Sequence, residues 1–153
     1  MVDVHSPEQR SANMRAIRYK DTSPEIRIRK LLFAKGFRYR LHVKSLPGKP
    51  DIVLPKYQVV IFVHGCFWHG HKCPLFVIPA TRTEFWMTKI QMNRDRDFRA
   101  ENELLANGWR VLTIWECALK GKLKRPIEDV ISEASQWILA GDQEVPHLSI
   151  RHI

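Results

Sequence analysis

The three cysteines of the chain, Cys66, Cys73 and Cys117, can act together with His71 at one site. Cys66, His71 and Cys73 lie within eight residues, and Cys117 follows a later apolar segment. A set of four thiolate and imidazole ligands is typical of a closed tetrahedral zinc site, which stabilises a fold and does not catalyse. The alternative is that Cys117 is a small buried hydrophobic residue and that the histidines lie on the surface. We expect about one zinc ion, which would order the loop over residues 64–79.

Asp51 follows a proline and begins a predicted strand, which a short turn pairs with residues 59–63. A carboxylate there, facing a main-chain carbonyl of the next strand, would suit Mg²⁺, because Mg²⁺ prefers oxygen ligands. Taken alone, the pattern favours the alternative of an aspartate that caps the turn or pairs with Lys49. The position therefore predicts a hard-cation site only in combination with other residues.

Three more ionisable residues are candidates for the same chemistry. His64 and His69 leave the end of the strand that pairs with Asp51, and the proposed zinc ligands do not include them. Histidine is the side chain best suited to moving protons near neutral pH. Glu25 lies in the first turn of a predicted helix, where an acidic residue more often interacts with the helix dipole than with a metal.

Aromatic residues lie between the proposed metal ligands and at the start of the following helix. Phe67 and Trp68 lie between Cys66 and His71, and Trp86 lies near the start of a predicted long helix. Core packing is the usual role of a residue such as Trp86. Phe67 and Trp68 are harder to bury, because the flanking ligands would fix their direction. Apolar side chains beside a basic surface can open a base step in DNA, so these residues are candidate wedges.

The composition describes one globular domain with an uneven charge distribution. The chain has 153 residues, of which 44% are hydrophobic and 27% charged, and this excludes a disordered or fibrous protein. No apolar run approaches the roughly 18 residues of a membrane span, and the first residues lack an apolar signal region, so we expect neither a membrane protein nor a secreted one. Residues 1–50 contain 12 Lys or Arg and 4 Asp or Glu, a surplus of 8 positive charges, and the net charge of the whole chain is +9. The N-terminal third is therefore a candidate polyanion-facing side, and solubility is the alternative that charge by itself favours about equally.

The hydrophobic pattern predicts alternating helices and strands. We expect helices over residues 6–18 and 24–35, a half-buried strand over 37–43 with Arg38, Arg40 and His42 on its outer face, and a hairpin of strands 51–54 and 59–63. A capping box over residues 81–84 predicts a long helix up to Gly108, followed by a buried strand over 109–115 and a last helix over 126–139. The residues after Gly141 are expected to form a loose tail. This order predicts an α/β sandwich with a mixed central sheet.

Several longer motifs resemble one known family. Pro50-Asp51 and the run Val63-His64-Gly65-Cys66-Phe67-Trp68-His69 are similar to motifs of the very-short-patch-repair (Vsr-type) DNA mismatch endonucleases. Further similar runs occupy residues 13–17, 45–48, 79–86, 108–112 and 115–119. The resemblance extends over roughly residues 3–121 and does not include the last thirty or so. It implies a restriction-endonuclease-like fold and an Mg²⁺-dependent nick on the 5′ side of the thymine in T:G mispairs, which arise from 5-methylcytosine deamination.

The resemblance also implies roles for individual residues. Asp51 would bind Mg²⁺ together with the main-chain carbonyl of Val63. His69 would be the general base or proton shuttle, oriented by Asp97, with His64 and Glu25 assisting. Cys66, His71, Cys73 and Cys117 would hold zinc. Phe67, Trp68 and Trp86 would enter the DNA from the major-groove side and Met14 from the minor-groove side, while Lys89 and Asn93 would face the mispair.

The chain departs from the family pattern at two points. Val63 stands where threonine is frequent, which changes nothing if only its carbonyl binds metal. The histidine-rich loop is reduced around Gly70, which is expected to loosen its geometry. We expect residues 1–20 to be a DNA-clamping arm, 21–140 the endonuclease domain and 141–153 a tail.

The resemblance implies a monomeric enzyme of the bacterial cytoplasm that acts at the nucleoid on double-stranded DNA, and leaves open whether mismatch-repair proteins stimulate it. Two alternatives stay open at this point. One is a restriction-type nuclease that cuts both strands. The other is a zinc-stabilised DNA-binding protein without hydrolysis.

Overall fold

The computed structural model describes residues 22–153. The predicted helix over residues 6–18 and Met14 lie outside the described residues. Three helices are present in this part of the chain: α1 (Ser23–Ala34), α2 (Thr83–Ala106) and α3 (Ile127–Ala140). Five strands accompany them: β1 (Arg40–Leu41), β2 (Ile52–Leu54), β3 (Val59–His64), β4 (Arg110–Trp115) and β5 (His147–Ile150). Short 3₁₀ turns follow β2 and β4, at Pro55–Tyr57 and Glu116–Ala118.

The strands form one mixed sheet in the order β1-β2-β3-β4-β5. The first three strands pair antiparallel, and β3, β4 and β5 pair parallel. In β3 the residues Val59 to Phe62 are all buried, as the uninterrupted apolar run predicts for a central strand. The predicted α/β sandwich with a mixed sheet is therefore confirmed.

Helices cover both faces of this sheet. One core contains Ile28 of α1, Ile131 of α3 and alternate strand residues such as Ile61. A second, smaller core joins Leu104 of α2 to Val60 and to other residues of the opposite sheet face. Because side chains alternate along a strand, consecutive residues at the end of β3 face α1 and α2 in turn. No helix within residues 22–153 has the length and apolarity needed to cross a bilayer.

The structure corrects three expectations about the elements. The strand predicted over 37–43 is reduced to Arg40–Leu41, because His42 takes a left-handed backbone conformation (φ 51°) that ends the ladder. The expected loose tail contains β5, which pairs parallel with β4. The capping box over 81–84 does not form: Arg82 is the N-cap residue, with φ 56°, and the Thr83 hydroxyl donates to the carbonyl oxygens of Pro79 and Ala80.

Arg110 is a buried charged residue that the hydrophobic pattern does not reveal, since it begins an apolar strand. It is 1% exposed, and its guanidinium donates hydrogen bonds to the carbonyl oxygens of Trp137 and Ile138 at 3.0 and 2.9 Å. These carbonyls belong to the last turn of α3, where intrahelical partners are missing. Arg110 therefore ties the end of α3 to the start of β4.

Candidate functional site

Asp51 lies immediately before β2, beside the end of β3. Its Oδ2 accepts a hydrogen bond of 2.8 Å from the main-chain N–H of Val63, twelve residues away. The carboxylate is therefore held by the neighbouring strand and is not a local turn cap. In a strand the N–H and C=O of one residue point to the same side. The carbonyl of Val63 consequently lies on the side of β3 that Asp51 occupies.

Two further side chains meet Asp51 at this edge. Glu25, in the first turn of α1, is 1% exposed, and its Oε2 lies 3.2 Å from Nε2 of His42 and 3.0 Å from Nη1 of Arg29. The ligand atoms of Glu25, His42 and Asp51 all lie within 4.8 Å of one another. Two carboxylates and an imidazole are thus gathered in a space that one cation can fill.

The electrostatics of Asp51 favour a bound cation. The pKa of Asp51 is raised to about 7, chiefly by burial and also by the nearby Glu25 carboxylate, while the Val63 N–H opposes the shift. A carboxylate that is desolvated beside another carboxylate binds a proton readily unless a cation replaces it. Carboxylate and carbonyl oxygens are the donors that Mg²⁺ prefers. The residues present therefore fit a divalent cation.

A second group of side chains lies on the α2 side of the sheet. The rings of His64 and His69 stack with centroids 3.7 Å apart and an interplanar angle of 7°. Nδ1 of His69 lies 2.5 Å from Oδ2 of Asp97, which projects from the middle of α2. A carboxylate that accepts from Nδ1–H fixes the tautomer and leaves Nε2 as the atom that can take a proton. This is the arrangement of an oriented general base.

His64 is held neutral in this group. Burial lowers the pKa of His64 well below its ordinary value, and the adjacent His69 lowers it further. Nδ1 of His64 is buried without a hydrogen-bond partner among the described residues. A neutral imidazole can donate or accept a hydrogen bond without adding charge beside His69.

Two sets of side chains meet at one end of β3. They are Glu25, His42 and Asp51, here called the carboxylate group, and His64, His69 and Asp97, here called the histidine group. Asp51 contacts the main chain of Val63, and the next residue, His64, stacks on His69. The groups thus approach the strand end from the two helix layers, through consecutive residues. The sequence-based expectation that Asp51 and His69 belong to one site requires this proximity. Asp51 and His69 are linked through two consecutive residues of β3, Val63 and His64.

The predicted zinc ligands also come together. The ligand atoms of Cys66, His71, Cys73 and Cys117 lie within 4.8 Å of one another, and Sγ of Cys117 is 3.6 Å from Nδ1 of His71. Ligands at 2.0–2.3 Å around a tetrahedral zinc ion are separated by roughly 3.3–3.8 Å. The side chains present therefore fit zinc. The alternative in which the histidines lie on the surface does not apply to His71, because its ring stacks on Trp115 with centroids 4.1 Å apart.

A bound cation would favour ionisation of these buried thiols. Burial raises the pKa values of Cys66 and Cys117 above the ordinary thiol value. Two main-chain N–H groups donate to the sulfurs: Cys117 N–H to Cys66 Sγ at 3.3 Å, and His152 N–H to Cys117 Sγ at 3.4 Å. Such hydrogen bonds stabilise the thiolate, the form that binds metal. Burial likewise lowers the pKa of His71, which favours the neutral ligand form.

Gly70 does not loosen the loop, contrary to expectation. Its φ is +63°, and a Cβ at this position would lie 2.7 Å from Ile90 and 2.8 Å from Arg94, both on α2. The loop therefore packs closely against the helix at this point. Glycine is needed there, both for the left-handed conformation and for the close approach.

The predicted wedge residues form one aromatic cluster. Ring centroids of Phe67 and Trp68 are 5.1 Å apart, those of Phe67 and Trp86 5.5 Å, and those of Trp68 and Trp86 5.9 Å. Trp68 is 37% exposed, and Phe67 and Trp86 are half-buried. Edge-to-face packing of this kind fixes the direction of each ring. The cluster is thus a preformed apolar surface beside the histidine group.

Lys89 and Asn93 lie one turn apart on α2, next to this cluster. Nδ2 of Asn93 donates a 2.9 Å hydrogen bond to the main-chain carbonyl of Trp68. Nζ of Lys89 lies 6.0 Å from the ring centroid of Phe85. Asn93 therefore supports the position of Trp68, while contact of either residue with a mispair remains a prediction. Met14 lies outside the described residues.

Sequence reasoning missed three contributors to these sites. His42 was assigned to an outer basic face, yet it is half-buried against Glu25, because its left-handed conformation turns it away from the strand alternation. Trp115 stacks on His71 and meets His64 edge-on. The His152 amide was missed because the chain after Gly141 was expected to be loose. None of the three carries a recognisable sequence signal.

The amino-acid sequence of the chain is similar to those of known DNA endonucleases. The family model described as DNA mismatch endonuclease Vsr matches residues 2–75. The DNA mismatch endonuclease Vsr of Escherichia coli strain K12 is 51% identical over 138 residues, which cover 90% of this chain and 88% of the relative.

Two nicking enzymes are similar over comparable lengths. The type II nicking enzyme V.XorIIP of Xanthomonas oryzae pv. oryzae is 47% identical over 133 residues, covering 86% of this chain and 98% of the relative. The type II nicking enzyme V.NmeAIP of Neisseria meningitidis serogroup A is 49% identical over 122 residues, covering 80% and 87%. The similarity thus extends over most of each protein.

Proposed function

The chain belongs to the Vsr family of DNA mismatch endonucleases and is a nicking endonuclease, and on this premise we propose its substrate and the residues that cut it. The mixed sheet flanked by helices is the restriction-endonuclease-like fold of that family. The substrate is a T:G mispair in duplex DNA, formed when 5-methylcytosine deaminates. The nick falls on the 5′ side of the thymine and starts very short patch repair.

The metal requirement follows from the carboxylate group. Asp51 and the carbonyl of Val63 would hold Mg²⁺, with Glu25 assisting directly or through water. When bound, the ion supplies charge neutralisation at the phosphate and a lowered pKa for a coordinated water. The observation that supports this assignment is the Asp51–Val63 contact, which places the carboxylate on the side of β3 where the Val63 carbonyl lies. The raised pKa of Asp51 agrees with it, since a bound cation would stabilise the ionised carboxylate.

The proton transfer is assigned to the histidine group. His69 accepts the proton of the attacking water at Nε2, because Asp97 occupies its Nδ1. Asp97 stabilises the resulting imidazolium and keeps the ring in place. His64 stays neutral beside it and is available to hydrogen-bond a phosphate oxygen. A positioned base of this kind contributes about 10²- to 10⁴-fold to a rate.

Mismatch selectivity is assigned to the aromatic cluster. Phe67, Trp68 and Trp86 enter the base stack from the major-groove side, and unstacking costs least at a mispaired step. Lys89 and Asn93 line the approach to the mispair on the same side. Met14 and the basic residues of the 1–20 arm would hold the minor groove, and phosphate contacts of this kind make binding strongly dependent on salt.

The remaining assignments concern stability and cellular context. Zinc bound by Cys66, His71, Cys73 and Cys117 holds the loop that carries the aromatic residues. The endonuclease domain, expected over residues 21–140, extends through β5, because that strand pairs with β4 of the central sheet. We assign the monomer as the active form. The enzyme would act on nucleoid DNA in the bacterial cytoplasm, with mismatch-repair proteins as candidate stimulating partners.

A strand-specific cleavage assay tests this proposal. Duplexes with each strand labelled in turn, carrying T:G, other mispairs or no mispair in several sequence contexts, would be incubated with the protein and Mg²⁺. We expect one nick, 5′ to the thymine, in the T:G duplex only. Asp51→Asn should abolish the nick while DNA retention and zinc content persist.

The same assay separates the alternatives. Equal cutting of both strands of a matched duplex would support a restriction-type nuclease. Retention of mismatched DNA without any nick would support a binding protein. Preference for another mispair would overturn the T:G assignment and leave the endonuclease activity intact.

A further inference from the structure

His42 belongs to the carboxylate group by geometry, although its strand neighbours face outward. Its Nε2 lies 3.2 Å from Oε2 of Glu25, and the ligand atoms of Glu25, His42 and Asp51 fall within 4.8 Å of one another. The side chain of His42 is 19% exposed, so the ring points into the site rather than away from it. A nitrogen donor therefore accompanies the oxygen donors beside β3.

The separations match those of ligands around a single ion. Atoms that bind an octahedral cation at 2.0–2.1 Å lie about 3 Å apart when adjacent and about 4.2 Å apart when opposite. The Nε2–Oε2 distance of 3.2 Å corresponds to adjacent ligands. The other separations among the three ligand atoms are at most 4.8 Å, close to the spacing of opposite ligands. Three side chains from α1, the end of β1 and the start of β2 thus converge on one position.

The backbone of His42 is also unusual. It adopts φ 51°, a left-handed conformation that residues other than glycine take infrequently, although histidine is among the more tolerant. Its N–H donates to the main-chain carbonyl of Asp51 at 3.1 Å, so the main chains of the two residues are joined. Residues other than glycine in left-handed conformations cluster at active sites and ligand clamps. Here the conformation turns the imidazole from the strand face toward Glu25.

We propose that His42 is a direct ligand of the divalent metal that Asp51 holds. This inference rests on the proposed function, because it concerns the same metal. The site then has mixed nitrogen and oxygen donors. Imidazole suits the transition metals, whereas Mg²⁺ takes oxygen ligands and retains several waters. His42 therefore raises the preference of this enzyme for Mn²⁺ over Mg²⁺.

Pulsed electron paramagnetic resonance of bound Mn²⁺ tests the ligand directly. The full-length, zinc-loaded protein would be titrated with one equivalent of Mn²⁺, and electron spin echo envelope modulation would be recorded for coupling to an imidazole ¹⁴N. We expect the coupling in wild-type protein and its loss in His42→Gln, with Mn²⁺ still bound. The matched control is His69→Gln, because His69 belongs to the neighbouring His64–His69–Asp97 group, and that variant should retain the coupling.

Several results would overturn the proposal. These are absence of ¹⁴N coupling in wild-type protein, its persistence in His42→Gln, or its loss in His69→Gln alone. If His42→Gln does not fold, His42→Asn replaces it, and the wild-type spectrum is decisive in either case. Affinity provides a second measurement: the ratio of Mn²⁺ to Mg²⁺ affinity should fall about tenfold in the His42 variant. An unchanged ratio would count against direct ligation.

The outcome is separable from that of the proposed function. A protein that nicks T:G duplexes but shows no ¹⁴N coupling would retain its function and lose this ligand. A protein that shows the coupling but nicks nothing would retain the ligand and lose the assigned activity. The two experiments share no readout.

Discussion

Nδ1 of His69 lies 2.5 Å from Oδ2 of Asp97, which joins a loop residue to the middle of a helix 28 residues later. The contact brings the loop between β3 and α2 against the face of α2. It also decides which nitrogen of His69 can accept a proton. The catalytic assignment of His69 therefore depends on a residue that has no chemistry of its own in the reaction.

Replacement of this carboxylate tests the assignment. Asp97→Asn keeps the shape but presents an amide, which can donate to Nδ1 and favour the wrong tautomer. We expect the single-turnover nicking rate to fall by roughly 10²- to 10⁴-fold, as in His69→Ala, with unchanged DNA affinity and melting temperature. Asp95→Asn is the matched control, since Asp95 is exposed on the same helix and bonds Gln91. Full activity of Asp97→Asn would remove the orienting role.

The raised pKa of Asp51 predicts a pH-dependent penalty in Mg²⁺-free protein. The folded protein holds the Asp51 proton up to about pH 7, whereas the unfolded chain releases it near its ordinary value of 3.8. Stability from this group is thus complete below the unfolded pKa and is lost as the pH rises through 7. Asp51→Asn has no titrating group at this position and does not lose this stability as the pH rises. The free energy of unfolding of the variant, relative to that of wild type, should therefore increase by roughly 1–3 kcal/mol between pH 5 and 8.

Urea denaturation of zinc-loaded protein at several pH values measures this difference. Added Mg²⁺ should stabilise wild-type protein at pH 8 and leave Asp51→Asn unchanged. A difference that is constant from pH 5 to 8 would show that Asp51 is already ionised at pH 5 in the folded state.

Removal of a zinc ligand should lower stability more than activity per folded molecule. In Cys117→Ser we expect loss of the bound zinc, measured by atomic absorption, and a clear drop in melting temperature. The physical reason is that the loop over residues 65–82 contains no regular helix or strand to hold it in place. Unchanged melting in a zinc-free variant would refute the structural role of the metal.

The amide of His152 provides a test of how the C-terminal segment supports this metal. Proline at position 152 removes the N–H that donates to Cys117 Sγ, whereas alanine removes only the imidazole. Zinc release to a chromogenic chelator should therefore accelerate about tenfold in His152→Pro and remain near wild type in His152→Ala. Equal release rates in the two variants would mean that the amide does not stabilise the thiolate.

The aromatic cluster predicts a separation of selectivity from affinity. Trp68→Ala should reduce the ratio of cleavage at T:G to cleavage at matched duplex, with a smaller change in overall DNA affinity, because phosphate contacts supply most of the binding. Phe98→Ala is the control, since Phe98 is 68% exposed on α2 and lies outside the cluster. A similar loss of selectivity in both variants would contradict the wedge role of Trp68.

Elements with strong local signals could be predicted from the amino-acid sequence alone. The apolar run of β3 predicted a strand buried on both faces, and Gly36, Gly108 and Gly141 marked the regions where three helices end. The zinc donor set could be named because three cysteines and a close histidine restrict the chemistry. The family motifs supplied Asp97, which no local pattern would have connected to His69.

Other features of the fold and the site depend on tertiary packing and could not be predicted from local sequence patterns. The sequence places position 42 on the outer face of a strand, but its backbone conformation and the proximity of α1 bring His42 to Glu25. In the sequence, Arg110 is a charged residue in an apolar strand, yet carbonyl oxygens at the end of α3 accept hydrogen bonds from its guanidinium. The residues after Gly141 carry little apolar pattern and still form β5, because the exposed edge of β4 offers main-chain hydrogen bonds. In each case the deciding partner is distant in sequence, and no local periodicity records it.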